Sequence, residues 1–256
     1  MLQEKSEHIA IDTLTESVIS IKNLYKSFGN NHVLSDFSLE VPRGKSIGVL
    51  GKSGSGKSVL IKCIIGLMPP DKGSINVLGK DVPKLNNEDL DKLRVKVGFL
   101  FQSNALYDSM TVRENLEFPL RRHWMKKETK NVNDLVMEAL EAVGLGHTVE
   151  MMPSELSGGM RKRIAIARTL ILKPDIILYD EPTTGLDPIT GREISKLMVE
   201  VQKKYNTSSI IISHDLNCVK IAADSLVMLI DGKNYAEGTF SEMKAATDPK
   251  IKLFFE

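Results

Sequence analysis

Cysteine is scarce in this chain of 256 residues, which has only Cys63 and Cys218. Each lies inside an apolar segment with no C-x-x-C or metal-ligand spacing, so neither a disulfide scaffold nor a cysteine-held metal is expected, and a reducing compartment suits both. An excess of one charge is lacking too. Lys+Arg 34 against Asp+Glu 33 gives a net charge of +1, without the global basic field that drives nonspecific nucleic-acid binding. No nucleic-acid partner is expected. No apolar run approaches the roughly 20 residues that a membrane-spanning helix needs, the longest being broken by Lys173, Asp175 and Asp180. Contact with a membrane is therefore expected to pass through a partner. Residues 1–17 are acidic, with Glu4, Glu7, Asp12 and Glu16, which argues against a signal or transit peptide and fits a loosely ordered tail.

What the chain does have is a set of short apolar runs that end alike. Ser46 to Leu50 precedes a glycine-rich loop, Val97 to Phe101 precedes Gln102, Ile176 to Tyr179 precedes Asp180 and Glu181, and Ile210 to Ser213 precedes His214. Continuous apolar strands are expected where a parallel sheet is covered by helices on both faces, which makes the fold α/β. In such sheets ligands sit beyond the carboxyl ends of the strands, so these endings should converge on one site. Phe37, Leu39 and Val41 alternate with polar residues before Arg43-Gly44, as do Ile75 and Val77 after Lys72-Gly73, which predicts a small antiparallel layer. Val132, Leu135, Val136, Ala139, Leu140 and Val143 share a helical face ending at Gly144, within an inserted helical lobe. Ser225 to Ile230, followed by Asp231-Gly232 and a polar return strand, predicts a hairpin at the sheet edge.

The glycine-rich loop is Gly51-Lys52-Ser53-Gly54-Ser55-Gly56-Lys57-Ser58, a complete G-x-x-x-x-G-K-[ST] phosphate cradle. Its glycines let backbone N–H groups wrap phosphates, Lys57 meets the β/γ oxygens and Ser58 offers a hydroxyl to Mg²⁺. Val59 stands where many such loops carry a second hydroxyl. Asp180 at a strand end suits water-mediated Mg²⁺ binding, and Glu181 suits a general base for a water aligned on the γ-phosphate. The Gln102 amide can sense Mg²⁺ and that water, while His214 can bond the γ-phosphate and orient Glu181. The glycine-aspartate turn at Gly185-Leu186-Asp187 is placed to communicate with this centre. A second anion-binding turn follows from Leu156-Ser157-Gly158-Gly159-Met160, where Ser157 caps a helix whose positive end favours a phosphate. If this turn cannot reach its own phosphate loop, it must serve the nucleotide of a second copy, which predicts ATP held between two head-to-tail subunits.

The ordered set of phosphate loop, Gln102, Leu-Ser-Gly-Gly, Asp180-Glu181, Gly-Leu-Asp and His214 resembles the ATP-binding cassette family from about residue 18 to about 250. The resemblance implies a P-loop NTPase core of RecA-like type, ATP hydrolysis with Mg²⁺, and Phe28 stacked on the adenine. It also implies that Ser157, Gly158, Gly159 and Met160 act on the partner's ATP. Phe101-Gln102-Ser103-Asn104-Ala105-Leu106-Tyr107, Met160 and Gly56-Lys57-Ser58-Val59 narrow the resemblance to the ATPase subunits of Mla-type, MCE-associated phospholipid transporters. Asn104 and Tyr107 depart from that group's usual glycine and phenylalanine.

On that resemblance, residues 1–17 form the tail, 18–250 a single ATPase domain, and 251–256 a short end. The domain divides into a core at 18–102 and 166–250 and a helical subdomain at 103–165. The expected partners are a second copy, an integral-membrane permease, an MCE-domain protein and a small STAS-domain subunit, at the cytoplasmic face of the inner membrane. By analogy, the helical lobe with Arg113, Glu114 and Asn115 forms the groove for the permease. The alternatives are a cassette for lipopolysaccharide, an amino acid or a drug, and a DNA-associated ATPase of the superfamily. The latter class carries a coiled-coil or zinc insertion between the two cradles, and this stretch has neither a sustained heptad nor a cysteine cluster.

Overall fold

The computed structural model describes residues 16–123 and 131–255. Glu4, Glu7 and Asp12, on which the tail reading rests, lie outside the described residues.

Six strands form the main sheet: β3 (Ser46–Leu50), β6 (Val97–Leu100), β7 (Ile176–Asp180), β8 (Ser208–Ile212), β9 (Ser225–Ile230) and β10 (Lys233–Gly238), in the order β10-β9-β3-β8-β7-β6. All neighbours are parallel except β9 and β10. The unbroken apolar runs follow from burial on both faces. Along β7, Ile176 and Leu178 face one core while Ile177 and Tyr179 face another, and β8 repeats the pattern with Ile210 and Ile212 against Ile211. Each fully buried aliphatic contributes on the order of 1.5–3 kcal/mol. The edge hairpin turns through Asp231 and Gly232, with φ of 51° and 75°, the left-handed pair that a two-residue turn matched to strand twist requires.

A second sheet packs against the first, in the order β2-β1-β4-β5, with β1 (Ser17–Phe28), β2 (Asn31–Pro42), β4 (Lys72–Val77) and β5 (Lys80–Asp81). The alternating segments are indeed strands, β2 and β4; β1 lies between them and is antiparallel to both. Its alternation is hidden because the pairing with β2 shifts register between Ile21 and Leu24 and again beyond, with Asn23 at φ 48°. Such bulges re-aim side chains and break the two-residue period. Tyr25, on that strand, is 37% exposed.

Helices cover the sheet. They are α1 (Lys57–Ile64), α2 (Asn87–Lys96), α3 (Val112–His123), α4 (Val132–Ala142), α5 (Gly158–Leu170), α6 (Pro188–Tyr205), α7 (Leu216–Ala222), α8 (Phe240–Ala245) and α9 (Pro249–Lys252). One core, around Phe37, Ile61 and Val77, fills the space between the two sheets. A second runs unbroken from Leu135 and Leu140 of α4, through Ile164 of α5 and Ile194 of α6, to Ile211 of β8. The predicted apolar face of α4 is the one buried there, and Gly144, at φ 74°, follows its end. Helix α5 is continuous across residues 165 and 166, so a helix, not a loop, joins the lobe to the sheet. Among the described residues no helix is long and apolar enough to cross a membrane. Both cysteines are buried free thiols, and burial pushes each up to about 11.

Candidate functional site

Because β3, β6, β7 and β8 are parallel, their carboxyl ends lie along one edge, and the residues that follow them meet in a cleft of about 510 Å³. Its walls carry Ser53, Gly54, Gly56, Lys57, Ser58 and Val59 of the phosphate loop, with Gln102, Asp180, Glu181 and His214. Four strand endings read separately in the sequence thus share one cavity.

The phosphate loop ends at Gly56, the N-cap of α1, at φ 103° and with no side-chain cap. A Cβ there would meet Val33 Cγ1 at 2.7 Å, so glycine is required both for conformation and for the approach of β2. The first turn of α1 contains no acid, which leaves its N–H groups and positive dipole end available to an anion. Ser55 Oγ is buried without a hydrogen-bond partner among the described residues, a donor suited to a phosphate oxygen. Lys57 folds back onto its own loop, donating to Gly51 O at 2.7 Å and Lys52 O at 3.0 Å. Burial lowers its pKa, and Glu181 and Asp180 oppose that shift. Lys52 also lines a neighbouring cavity that reaches Leu253 and Phe254 of the C-terminal segment.

Opposite the loop, Glu181 adopts φ 50°, a left-handed conformation that costs a non-glycine residue on the order of 1–2 kcal/mol. Hydrogen bonds hold it. Its N–H donates to Ile212 O at 2.9 Å, the His214 Nδ1–H donates to its carboxylate at 2.8 Å, and Thr184 Oγ1 donates to the same oxygen at 3.3 Å. Strain maintained by a surrounding network is expected where a side chain must be aimed. The Asp180 carboxylate beside it accepts no hydrogen bond among the described residues, and its pKa is raised by burial and by Glu181, against Lys57, Lys62 and Lys162. Together with the Ser58 hydroxyl and the Gln102 amide oxygen it offers only hard oxygen donors, which suits Mg²⁺ and not a soft metal.

The second cradle lies elsewhere. Ser157 caps α5, accepting from Met160 N at 3.2 Å, and the first turn of α5 contains no acid. A Cβ on Gly159 would meet Thr190 Cγ2 at 2.7 Å and one on Gly158 would reach Leu186 Cδ2 at 3.7 Å, so this turn packs against the loop and helix that follow Glu181. None of Ser157, Gly158, Gly159 or Met160 lines the phosphate cleft of its own chain. Asp187 caps α6, accepting from Ile189 N and Thr190 N at 3.0 Å and from Thr190 Oγ1 at 2.5 Å. Those bonds lower its pKa. Phe28 ends β1 at 48% exposure, with Lys26 Nζ 5.7 Å from its ring centre; it does not line the cleft.

Asn115 is a correction to the expected permease groove. It is fully buried, its amide donating to the carbonyls of Tyr107, Met110 and Thr111 while its Oδ1 accepts from Tyr107 N. An amide engaged in pinning a loop cannot line a groove. The sequence reading also missed Lys162 and Val33. Lys162 is 1% exposed and donates to Gln102 O at 3.1 Å, and burial takes its pKa down to about 8. Its signal was weak, because a lysine in an amphipathic helix ordinarily faces water.

A model of the ABC transporter family matches residues 34–184. The "probable ribonucleotide transport ATP-binding protein mkl" of Mycobacterium leprae is 39% identical over 92% of this chain and 68% of its own length. The "intermembrane phospholipid transport system ATP-binding protein MlaF" of Haemophilus influenzae is 37% identical over 95% of this chain and 92% of its own. Among solved structures, a dimeric ATP-binding cassette in a post-hydrolysis state bound to ADP and Pi superimposes with a TM-score of 0.77 and 30% identity, covering 87% of this chain and 98% of that one.

Proposed function

The chain belongs to the ABC transporter family and is an ATP-hydrolysing cassette, and from that premise we propose that it powers phospholipid movement through a separate permease. The observation that carries the catalytic reading is the convergence of Gln102, Asp180, Glu181 and His214 on the phosphate loop while the Ser157 turn packs away from it. In this reading the N–H groups from Gly51 to Gly56 bind the phosphates, Lys57 leaves its carbonyl partners for the β/γ oxygens, and Ser58, Gln102 and Asp180 hold Mg²⁺. The ion supplies charge neutralisation on the phosphates when bound. Glu181 takes the proton of a water as its oxygen bonds to the γ-phosphorus and the bond to the β-phosphate oxygen breaks. His214 keeps aimed the carboxylate whose general-base catalysis contributes roughly 10²- to 10⁴-fold. Phe28 stacks on adenine, Asp187 links the reaction centre to the interface, and Ser157 to Met160 complete the site of a second copy in a head-to-tail dimer.

The division into a core at 18–102 and 166–250 and a helical subdomain at 103–165 belongs to the same proposal. So do a peripheral place at the cytoplasmic face of the inner membrane and a complex with an MCE-domain protein and a small STAS-domain subunit. The cargo assignment draws on the relative named for phospholipid transport. A second reading, another cargo, draws on the relative named for ribonucleotide transport. The test is transport by the purified complex in vesicles: ATP-dependent transfer of labelled phospholipid is expected. ATP-dependent ribonucleotide uptake without lipid transfer overturns the cargo and leaves the ATPase intact.

A further inference from the structure

The segment after Gln102 is held in an unfavourable backbone. Asn104 and Ala105 are consecutive, at φ 64° and 51°, in the left-handed region that L-residues avoid. Alanine has no polar side chain to bond locally and offset that cost. The hold comes from α5. Lys162 Nζ donates to Gln102 O at 3.1 Å, Arg168 Nη2 donates to Asn104 O at 3.1 Å, and Arg168 Nη1 donates to Ala105 O at 2.8 Å. Arg168 also lies 5.8 Å from the ring centre of Tyr107. Two cations of one helix therefore take three carbonyls of one loop.

A lysine at 1% exposure is an expensive choice for that position, since a methionine would fill similar space without a buried charge. What the ammonium adds is the bond to Gln102 O, with Asp180 offsetting its charge. Ser157 caps helix α5, so a single element carries the turn assigned to the partner's ATP and grips the loop assigned to its own Mg²⁺.

We propose that Lys162 and Arg168 are positioning residues that fasten the Gln102 loop to α5, so that a Ser157 turn closing on the partner's nucleotide sets Gln102 in its own site. The inference rests on the roles given above to Gln102 and Ser157. It makes the two ATP sites of a dimer communicate through one helix in each subunit, a coupling between distinct sites with a named carrier.

The test is a double-mutant cycle on ATP turnover by the full chain with its permease. Lys162→Met is expected to lower kcat about tenfold with KM for ATP within about twofold, the pattern of lost transition-state positioning and not of lost binding. Lys162→Arg restores most of it. In a Gln102→Ala background Lys162→Met changes kcat by less than about twofold, because the group it positions is gone. Arg168→Lys, which keeps the charge and loses the two-pronged donor, follows the same rule and serves if Lys162→Met does not fold. A full tenfold loss on top of Gln102→Ala, or a raised KM at unchanged kcat, overturns the proposal while leaving the Gln102 role standing. A Gln102→Ala chain with normal kcat sinks both together.

Discussion

Glu181 is held at φ 50° by bonds to its N–H and its carboxylate, so replacing it tests chemistry separately from structure only if the replacement keeps shape. Glu181→Gln does so. The amide preserves the backbone conformation and an acceptor for His214, and it removes only the ability to take a proton. Turnover is expected to fall by roughly 10²- to 10⁴-fold while ATP binding persists, measured as steady-state phosphate release beside equilibrium nucleotide binding. Near-normal hydrolysis would show that the base is another group. Glu181, Asp180, Gln102 and His214 were legible because each follows an apolar run, and topology then dictates where they meet. Lys162 and Asn115 were not, because a polar residue within a helical pattern reads as solvent-facing. Their burial depends on a loop whose left-handed residues carry no local signature beyond Asn104.

Helix α5 is the element whose two jobs can be separated. Ser157 caps it through Met160 N, and aspartate caps as well as serine does, to within a few tenths of about 1 kcal/mol, with a further gain from the helix dipole. Ser157→Asp therefore leaves the thermal midpoint unchanged or slightly raised. It also sets a carboxylate where the partner's γ-phosphate is proposed to lie, and like charges so juxtaposed cost several kcal/mol. A fall in turnover of at least about tenfold is expected with no loss of stability. Normal hydrolysis by this variant would reduce the turn to a plain cap. At this scale the sequence was readable wherever one period ruled an element: α4 kept its 3.6-residue stripe, and β7 and β8 showed unbroken apolarity because both their faces are covered. Strand β1 was unreadable because its register shifts scramble the two-residue period.

For the whole molecule, the two anion-binding turns of one chain stand apart. The Ser157 turn packs against Leu186 and Thr190, outside the cleft that holds Lys57. If two copies close head to tail about a twofold axis, each site takes its phosphate loop from one subunit and its Ser157 turn from the other. Lys57→Ala and Ser157→Asp homodimers are then both inactive, for each lacks one half of both sites. Mixed in equal amounts and allowed to exchange, they form about one half heterodimers, in which one site collects both lesions and the other is intact. Activity reappears on mixing. A chain carrying both substitutions, mixed with the wild-type chain, gives heterodimers with no intact site, so it lowers wild-type activity and rescues nothing. Phosphate release across the two mixing series distinguishes the arrangements. Were each chain to complete its own site, the pattern would invert: the single variants would never complement, and the double variant would leave its wild-type partner fully active.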